Sequence, residues 1–198
     1  MSGSEARTVS GESAPKTSSD ERISTVYFHI KHFPFRNINH PFIKGNRQTN
    51  RHKRSQCIIE SIEQYEALCK EWKHDSILSW QKVAVREFVP LLEIDSESFP
   101  EQVPVSYEFR FFYFKGKCMA YGPYWHMGRQ YSLYESELAE VLKLTDWAAE
   151  KLGVCFTAID VAKTVSGEWI IIEVNDAQGS GLVGVNPLVL WNNTISAA

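Results

Sequence analysis

The chain has 198 residues, of which 43% are apolar, 13% aromatic and 23% charged, a composition that builds a core and excludes wholesale disorder. No window approaches the roughly 20 apolar residues of a membrane helix, and no apolar stretch follows Met1, so neither a membrane span nor a secretory signal is expected. Basic residues number 21 and acidic ones 24, a net charge of −3, which argues against a generally basic nucleic-acid binder and leaves only a local basic patch open.

Residues 1–22 are rich in Ser, Gly, Thr and Glu, with almost no large apolar side chain. They cannot offset ordering entropy by burial, so a disordered tail is expected, with the folded part beginning near Ile23. Residues 26–30 read as a strand, 37–41 as a turn, and 42–44 as a strand that stops at Gly45. Residues 46–55 are polar and basic, a loop, and 56–60 read as a strand around Cys57-Ile58-Ile59. A helix follows Ser61, whose spacing to Gln64 is that of a capping box. Ile62, Tyr65, Leu68, Cys69 and Trp72 give it one apolar face. Residues 83–92 are β-rich. Residues 105–114 and 118–124 form a hairpin around Lys115-Gly116-Lys117. The strongest helix signal covers 135–152, with Leu138, Val141, Leu142, Ala149 and Leu152 on one face and Gly153 as its C-terminal cap. Residues 154–165 and 169–175 are strands joined at Ser166-Gly167, and the last stretch is Gly-rich, then apolar. This order predicts an α+β domain with antiparallel sheets, not a doubly wound parallel one. Cys57, Cys69, Cys118 and Cys155 are too widely spaced for a zinc-type pair. They are expected to be reduced and mostly buried, which with the missing signal implies a cytoplasmic protein.

Chemistry concentrates in the last two strands. Glu173 and Asn175 lie two apart and share a face. Asp160, on the neighbouring strand, can face them across the pair. Three oxygen-bearing side chains at the end of an apolar sheet call for a cation, and all-oxygen ligands suit Mg²⁺. Alternation alone would equally put Glu173 and Asn175 on the solvent face of an edge strand.

The pattern Ile159-Asp160-Val161 followed by Ile171-Ile172-Glu173-Val174-Asn175 resembles the magnesium-binding signature of the ATP-grasp family. Other segments are similar in collinear order. Phe42-Ile43-Lys44 resembles the strand with a phosphate-binding lysine. Val83 to Val89 resembles the hinge strand that holds adenine, and Ser106-Tyr107-Glu108-Phe109-Arg110 the strand and hairpin before the long helix. The resemblance covers roughly residues 40–185. It implies an ATP-grasp fold: a small lobe at about 23–90 and a larger one at about 91–198, both α+β, with ATP between them and the metal site on an antiparallel sheet.

The resemblance also implies roles. Asp160, Glu173 and Asn175 would hold Mg²⁺. Lys44 would contact the α- and β-phosphates, as a point cation can, under a loop over 46–54. Phe88 and Val89 would offer backbone groups to adenine and Glu87 would accept from its amine, while Glu93 or Asp95 would hold ribose. Arg110 would stabilise the transferring phosphoryl group, so Arg110 and Lys44 are the candidate catalytic residues. Asp176, Gln178 and Ser180 would lie near the acceptor, and Arg86 reads as structural. Three of these residues also admit plainer roles: an exposed strand-end lysine for Lys44, an exposed strand residue for Glu87, and a cross-strand carboxylate partner for Arg110.

The implied activity is ADP-forming ligation of a small-molecule or peptide carboxylate to an amine-type acceptor through an acylphosphate. Family enzymes usually carry a further domain of roughly 100 residues before the lysine strand, whereas only residues 23–40 are expected to be ordered there. A fragment, a shortened gene product, or a non-catalytic nucleotide-binding module of the same fold therefore all stay open. The basic run Lys44, Arg47, Arg51, His52, Lys53 and Arg54 could instead meet nucleic-acid phosphates, but no aromatic is interleaved for stacking. His29 and His32 fall on opposite faces of a strand, which argues against zinc. Tyr124-Trp125-His126 reads as a packed aromatic turn or the lining of a substrate pocket.

Overall fold

The computed structural model describes residues 26–28, 41–45, 53–76, 79–80, 83–95, 102–125 and 130–198. The expected tail over 1–22, the turn before Pro41, most of the 46–55 loop, and His29, His32, His40, His52 and His126 lie outside the described residues. Strands β1 (Val26–Phe28), β2 (Pro41–Gly45) and β3 (Val83–Glu87) form an antiparallel sheet in the order β1-β3-β2. Between β2 and β3 come a helical turn, α1 (Arg54–Cys57), and helix α2 (Ile62–Trp72). The expected strand over 56–60 is corrected: α1 takes its first residues, and only Ile58 bridges to Phe42. Cys57, Ile58 and Ile59 are all buried, and a short apolar run buried throughout carries no period to separate helix from strand.

The start of α2 follows the expected cap. Ser61 Oγ accepts from the Gln64 N–H at 3.2 Å, and Gln64 Oε1 accepts from the Glu60 N–H at 2.9 Å. Tyr65, Leu68 and Trp72 then pack with Ile43, Ile59 and Val85, while Ile62, in the first turn, is exposed.

Strands β4 (Glu93–Asp95) and β5 (Val105–Ser106) pair and lead into the larger sheet. That sheet contains β6 (Glu108–Phe114), β7 (Lys117–Pro123), β8 (Phe156–Lys163) and β9 (Trp169–Asp176), antiparallel in the order β7-β6-β8-β9. Lys115 and Gly116 both have positive φ, 49° and 74°, which fits a two-residue hairpin loop. Helix α3 (Glu135–Leu152) covers one face and ends at Gly153 with φ 61°. There Tyr107, Phe109, Phe111 and Tyr113 meet Val141, Ala148, Ala149, Ile159, Val161 and Trp169, although Leu152, expected on the apolar stripe, is exposed.

Helix α4 (Pro187–Ser196), absent from the sequence expectation, covers part of the other face. Its Leu190 packs with Phe112, Ala120, Ala158 and Val185, and Asn186 caps its start by accepting from the Leu188 and Val189 N–H groups. The cysteines are free, but only Cys57 is buried. Cys69 and Cys118 are half-buried and Cys155 is exposed, because Cys155 stands just before β8 begins. Among the described residues no helix is long and apolar enough to cross a membrane.

Candidate functional site

The register of the large sheet builds one polar row on the face opposite α3. Arg110 on β6 stands across from Gly122 on β7 and Asp160 on β8, and Asp160 across from Glu173 on β9. Asn175 lies one row along, opposite Ala158. The three expected oxygen donors thus share a face. Arg110 donates from Nε and Nη2 to the two oxygens of Asp160, each at 2.7 Å, and from Nη1 to the Gly181 carbonyl at 2.8 Å. Its guanidinium also lies 5.1 Å from the Tyr124 ring centre. Arg110 is 5% exposed and Asp160 1%. Burial pulls the Arg110 pKa down, but the bonds and charge of Asp160 outweigh it and the net shift is upward.

Gly122 makes room for the loop after β9. A Cβ there would fall 2.4 Å from the Gly184 carbonyl oxygen, and this close approach accompanies the bond that Arg110 donates to the Gly181 carbonyl. Val183 in the same loop has φ 49°, a costly conformation for a β-branched residue. Asp176 Oδ1 accepts from the Gln178 N–H, and Ser180 Oγ donates to the Asp176 carbonyl, so these expected acceptor contacts take part in the turn after β9.

Glu108, two residues before Arg110, is 6% exposed. Its Oε2 accepts from Ser106 Oγ at 3.0 Å and from Trp125 Nε1 at 3.2 Å. Burial, and then the charge of Asp160, push its carboxyl up to about 7 against the pull of those bonds and of Arg110. Trp125 therefore belongs to the packed aromatic turn, where Tyr124 meets it edge-on at 5.2 Å. Arg86 reaches the same face from β3. Its Nη1 donates to the Ile172 carbonyl at 3.2 Å, and its guanidinium lies 4.8 Å from the Phe42 ring centre. Burial lowers its pKa, opposed by the charges of Glu108 and Glu173.

The remaining candidates are spread along the other elements. Lys44 stands opposite Ala84 in the small sheet, and Glu87, opposite Pro41, is exposed. Phe88 stacks on Phe42 at 6.4 Å, and Val89 is half-buried. Glu93 is exposed opposite Ser106, and Asp95 is half-buried opposite Val105. Lys53 and Arg54, the described end of the basic run, are exposed. Among the described residues no three His, Cys, Asp or Glu side chains form a ready-made metal cage.

The donor chemistry fits Mg²⁺ nonetheless. The donors are all oxygens, Asp160 faces Glu173 across the ladder, and Mg²⁺ usually takes one or two carboxylates with phosphate oxygens. Arg86 read from the sequence as structural but without its partner, and sequence reasoning missed Gly122 and the Gly181 carbonyl. Among these, only the buried-strand context of Arg86 carried any signal.

The topology is that of an ATP-grasp fold, and solved structures of that fold match the chain. D-alanine–D-alanine ligase from Bacillus anthracis, complexed with ATP, matches with TM-score 0.56 at 13% identity, over 88% of this chain and 54% of that one. The L-amino acid ligase from Bacillus licheniformis matches with TM-score 0.51 at 12% identity, over 81% and 37%. The ATP-grasp ligase PsnB, complexed with precursor peptide PsnA2 and AMPPNP, matches with TM-score 0.50 at 14% identity, over 87% and 52%. The chain therefore spans about half the length of the first and last of these ligases, and at such identities the likeness is one of fold. No curated protein matches the sequence. The sequence pattern of an ATP-grasp domain family, family 3 of its clade, matches residues 32–193, and the chain belongs to that family.

Proposed function

We propose that this domain binds ATP and Mg²⁺ and works as an ADP-forming ligase that joins a carboxylate to an amine-type acceptor. The observation that carries the reading is the row Arg110–Asp160–Glu173, with Asn175 beside it, on the face away from α3. In this reading ATP lies between the two lobes, with adenine at Phe88 and Val89, Glu87 at its amine, ribose at Glu93 or Asp95, and phosphates reached by Lys44. Asp160, Glu173 and Asn175 hold Mg²⁺, which when bound would neutralise phosphate charge as the γ-phosphoryl group moves. Arg110, fixed by Asp160 and the Gly181 carbonyl, contributes a pre-oriented cation beside that charge.

A substrate carboxylate oxygen attacks the γ-phosphorus, the bond to the ADP oxygen breaks, and an acylphosphate forms. The amine nitrogen then attacks the acyl carbon, the C–O bond to phosphate breaks, and the amine proton leaves with phosphate or solvent. No covalent protein nucleophile is needed. The amino-acid and peptide ligases of the same fold support this substrate class as the first to test.

A second reading, nucleotide binding without turnover, is favoured by the engagement of both Asp160 oxygens with Arg110. Calorimetry of ATP with and without Mg²⁺, on wild type and on Glu173→Ala, tests the site. Mg²⁺-dependent heat that Glu173→Ala loses while still folded is expected. ADP release stimulated by a member of an amino-acid and peptide panel then selects the ligase, and ATP binding with no such stimulation selects the second reading.

A further inference from the structure

Simple alternation does not put Glu173 on the Asp160 face. Trp169 and Ile171 point to α3, as successive odd-numbered residues must, and regular pairing would send Glu173 and Asn175 after them. Instead Val174 packs against the α3 core with Trp169 and Ile171. The register explains the switch: Val161 pairs with Ile171 and Asp160 with Glu173, so Ile172 is one residue too many on β9. This is a β-bulge, and a bulge re-aims every side chain beyond it.

The carbonyl of that extra residue accepts the 3.2 Å bond from Arg86 Nη1. Arg86 is in turn held over Phe42, so the small sheet reaches across to the bulge. We propose that Arg86 is a positioning residue: its guanidinium anchors the Ile172 bulge and thereby keeps Glu173 and Asn175 on the face of Asp160. Its use to the protein rests on the metal-site reading above. The anchor itself is a statement about β9 and is tested without metal or nucleotide.

Deleting Ile172 separates this role from any other. Without the extra residue, Glu173 would follow Ile171 directly, and alternation alone would place it beside Asp160, with no carbonyl left to anchor. Hydrogen–deuterium exchange is measured on the full chain for four proteins: wild type, Arg86→Met, the Ile172 deletion, and the two changes combined. Circular dichroism and thermal unfolding establish that each is folded.

Arg86→Met is expected to speed exchange across residues 171–175 by about ten-fold, the loss of one charge-assisted hydrogen bond, with α3 unchanged. In the deletion background the same substitution is expected to change exchange there by less than about two-fold, and Arg86→Lys in the full-length strand to fall between wild type and Arg86→Met. Unchanged exchange over 171–175 in folded Arg86→Met overturns the anchor. Equal acceleration with and without Ile172 also overturns it, since Arg86 would then act elsewhere.

The metal reading is judged separately on the same proteins by Mg²⁺-dependent ATP heat. If wild type shows that heat, Arg86→Met is expected to lose about ten-fold in Mg²⁺-dependent affinity and the Ile172 deletion to restore it. Loss of equal size in both backgrounds refutes positioning in favour of direct contact. If wild type shows no such heat, the metal reading fails, while the exchange result still decides the anchor.

Discussion

Replacing Arg110 by Met tests the central row most directly. The substitution keeps much of the side-chain volume and removes three donors: two to Asp160 and one to the Gly181 carbonyl. Asp160, 1% exposed, would then be a buried carboxylate that has lost its bidentate cation. Breaking one side of a buried pair costs about 3–5 kcal/mol, whereas replacing both sides by neutral groups is often close to neutral. Arg110→Met should therefore lower Tm by roughly 10 °C, at about 2–4 °C per kcal/mol for a chain of this size. Adding Asp160→Asn should return most of that loss. About 1 kcal/mol remains for the bond to Gly181, which the double variant does not restore. The assay is a double-mutant cycle by urea and thermal unfolding at neutral pH, with a coupling of at least about 2 kcal/mol expected. A single variant that unfolds cooperatively within about 2 °C of wild type would refute the reasoning. So would a double variant as unstable as the two single changes added together.

The Glu108 carboxyl, raised from its ordinary 4.5 to about 7 in the folded chain, binds a proton that the unfolded chain releases earlier. Its contribution to stability is fully present below about 4.5 and lost as pH rises through about 7. Wild type should lose on the order of 3 kcal/mol more than Glu108→Gln between about pH 5 and 8, and parallel stability–pH curves would contradict this. Gly122→Ala should cost about 1–3 kcal/mol by overpacking, because its Cβ meets backbone of the 181–185 loop and not a yielding side chain. Unchanged Tm in that variant would mean the loop moves freely. Under native conditions a thiol reagent should modify Cys155 first, and Cys155→Ser should remove that phase. The buried Cys57 thiol, pushed up to about 12 by burial, should react only on unfolding, and equal native rates for the two would contradict the assignment.

Much of the fold was legible where periodicity and punctuation agree. Helix α3 reads from its apolar stripe and Gly153, and the β6–β7 hairpin from its aromatics and the Lys115-Gly116 turn. Helix α4 did not read, although Asn186-Pro187 is a start signal. Leu188, Val189, Trp191 and Ile195 are exposed, and only Leu190 is buried, so apolar residues surround the helix and mark no face. The residues of the polar row were legible as a set, but the reason they share a face was not. Ile170, Ile171 and Ile172 are identical, and a run of one residue type carries no phase by which a bulge could be noticed. The pairing of Arg110 with Asp160 was one of two roles open for Arg110, and it depends on a register between strands 50 residues apart.

That separation has a consequence for how the molecule comes into being. Hairpin β6–β7 holds Arg110 and hairpin β8–β9 holds Asp160 and Glu173, each closed by a short turn, while the β6–β8 seam must bring the two together across α3. Local hairpins close quickly, and distant pairings wait for the intervening chain to be gathered in. The row is therefore completed only when the two halves of the sheet dock. Before that step Arg110 and Asp160 each stand without the other on surfaces that will be buried, so the seam is where a slow or crowded refolding reaction should stall and where chains should stick to one another.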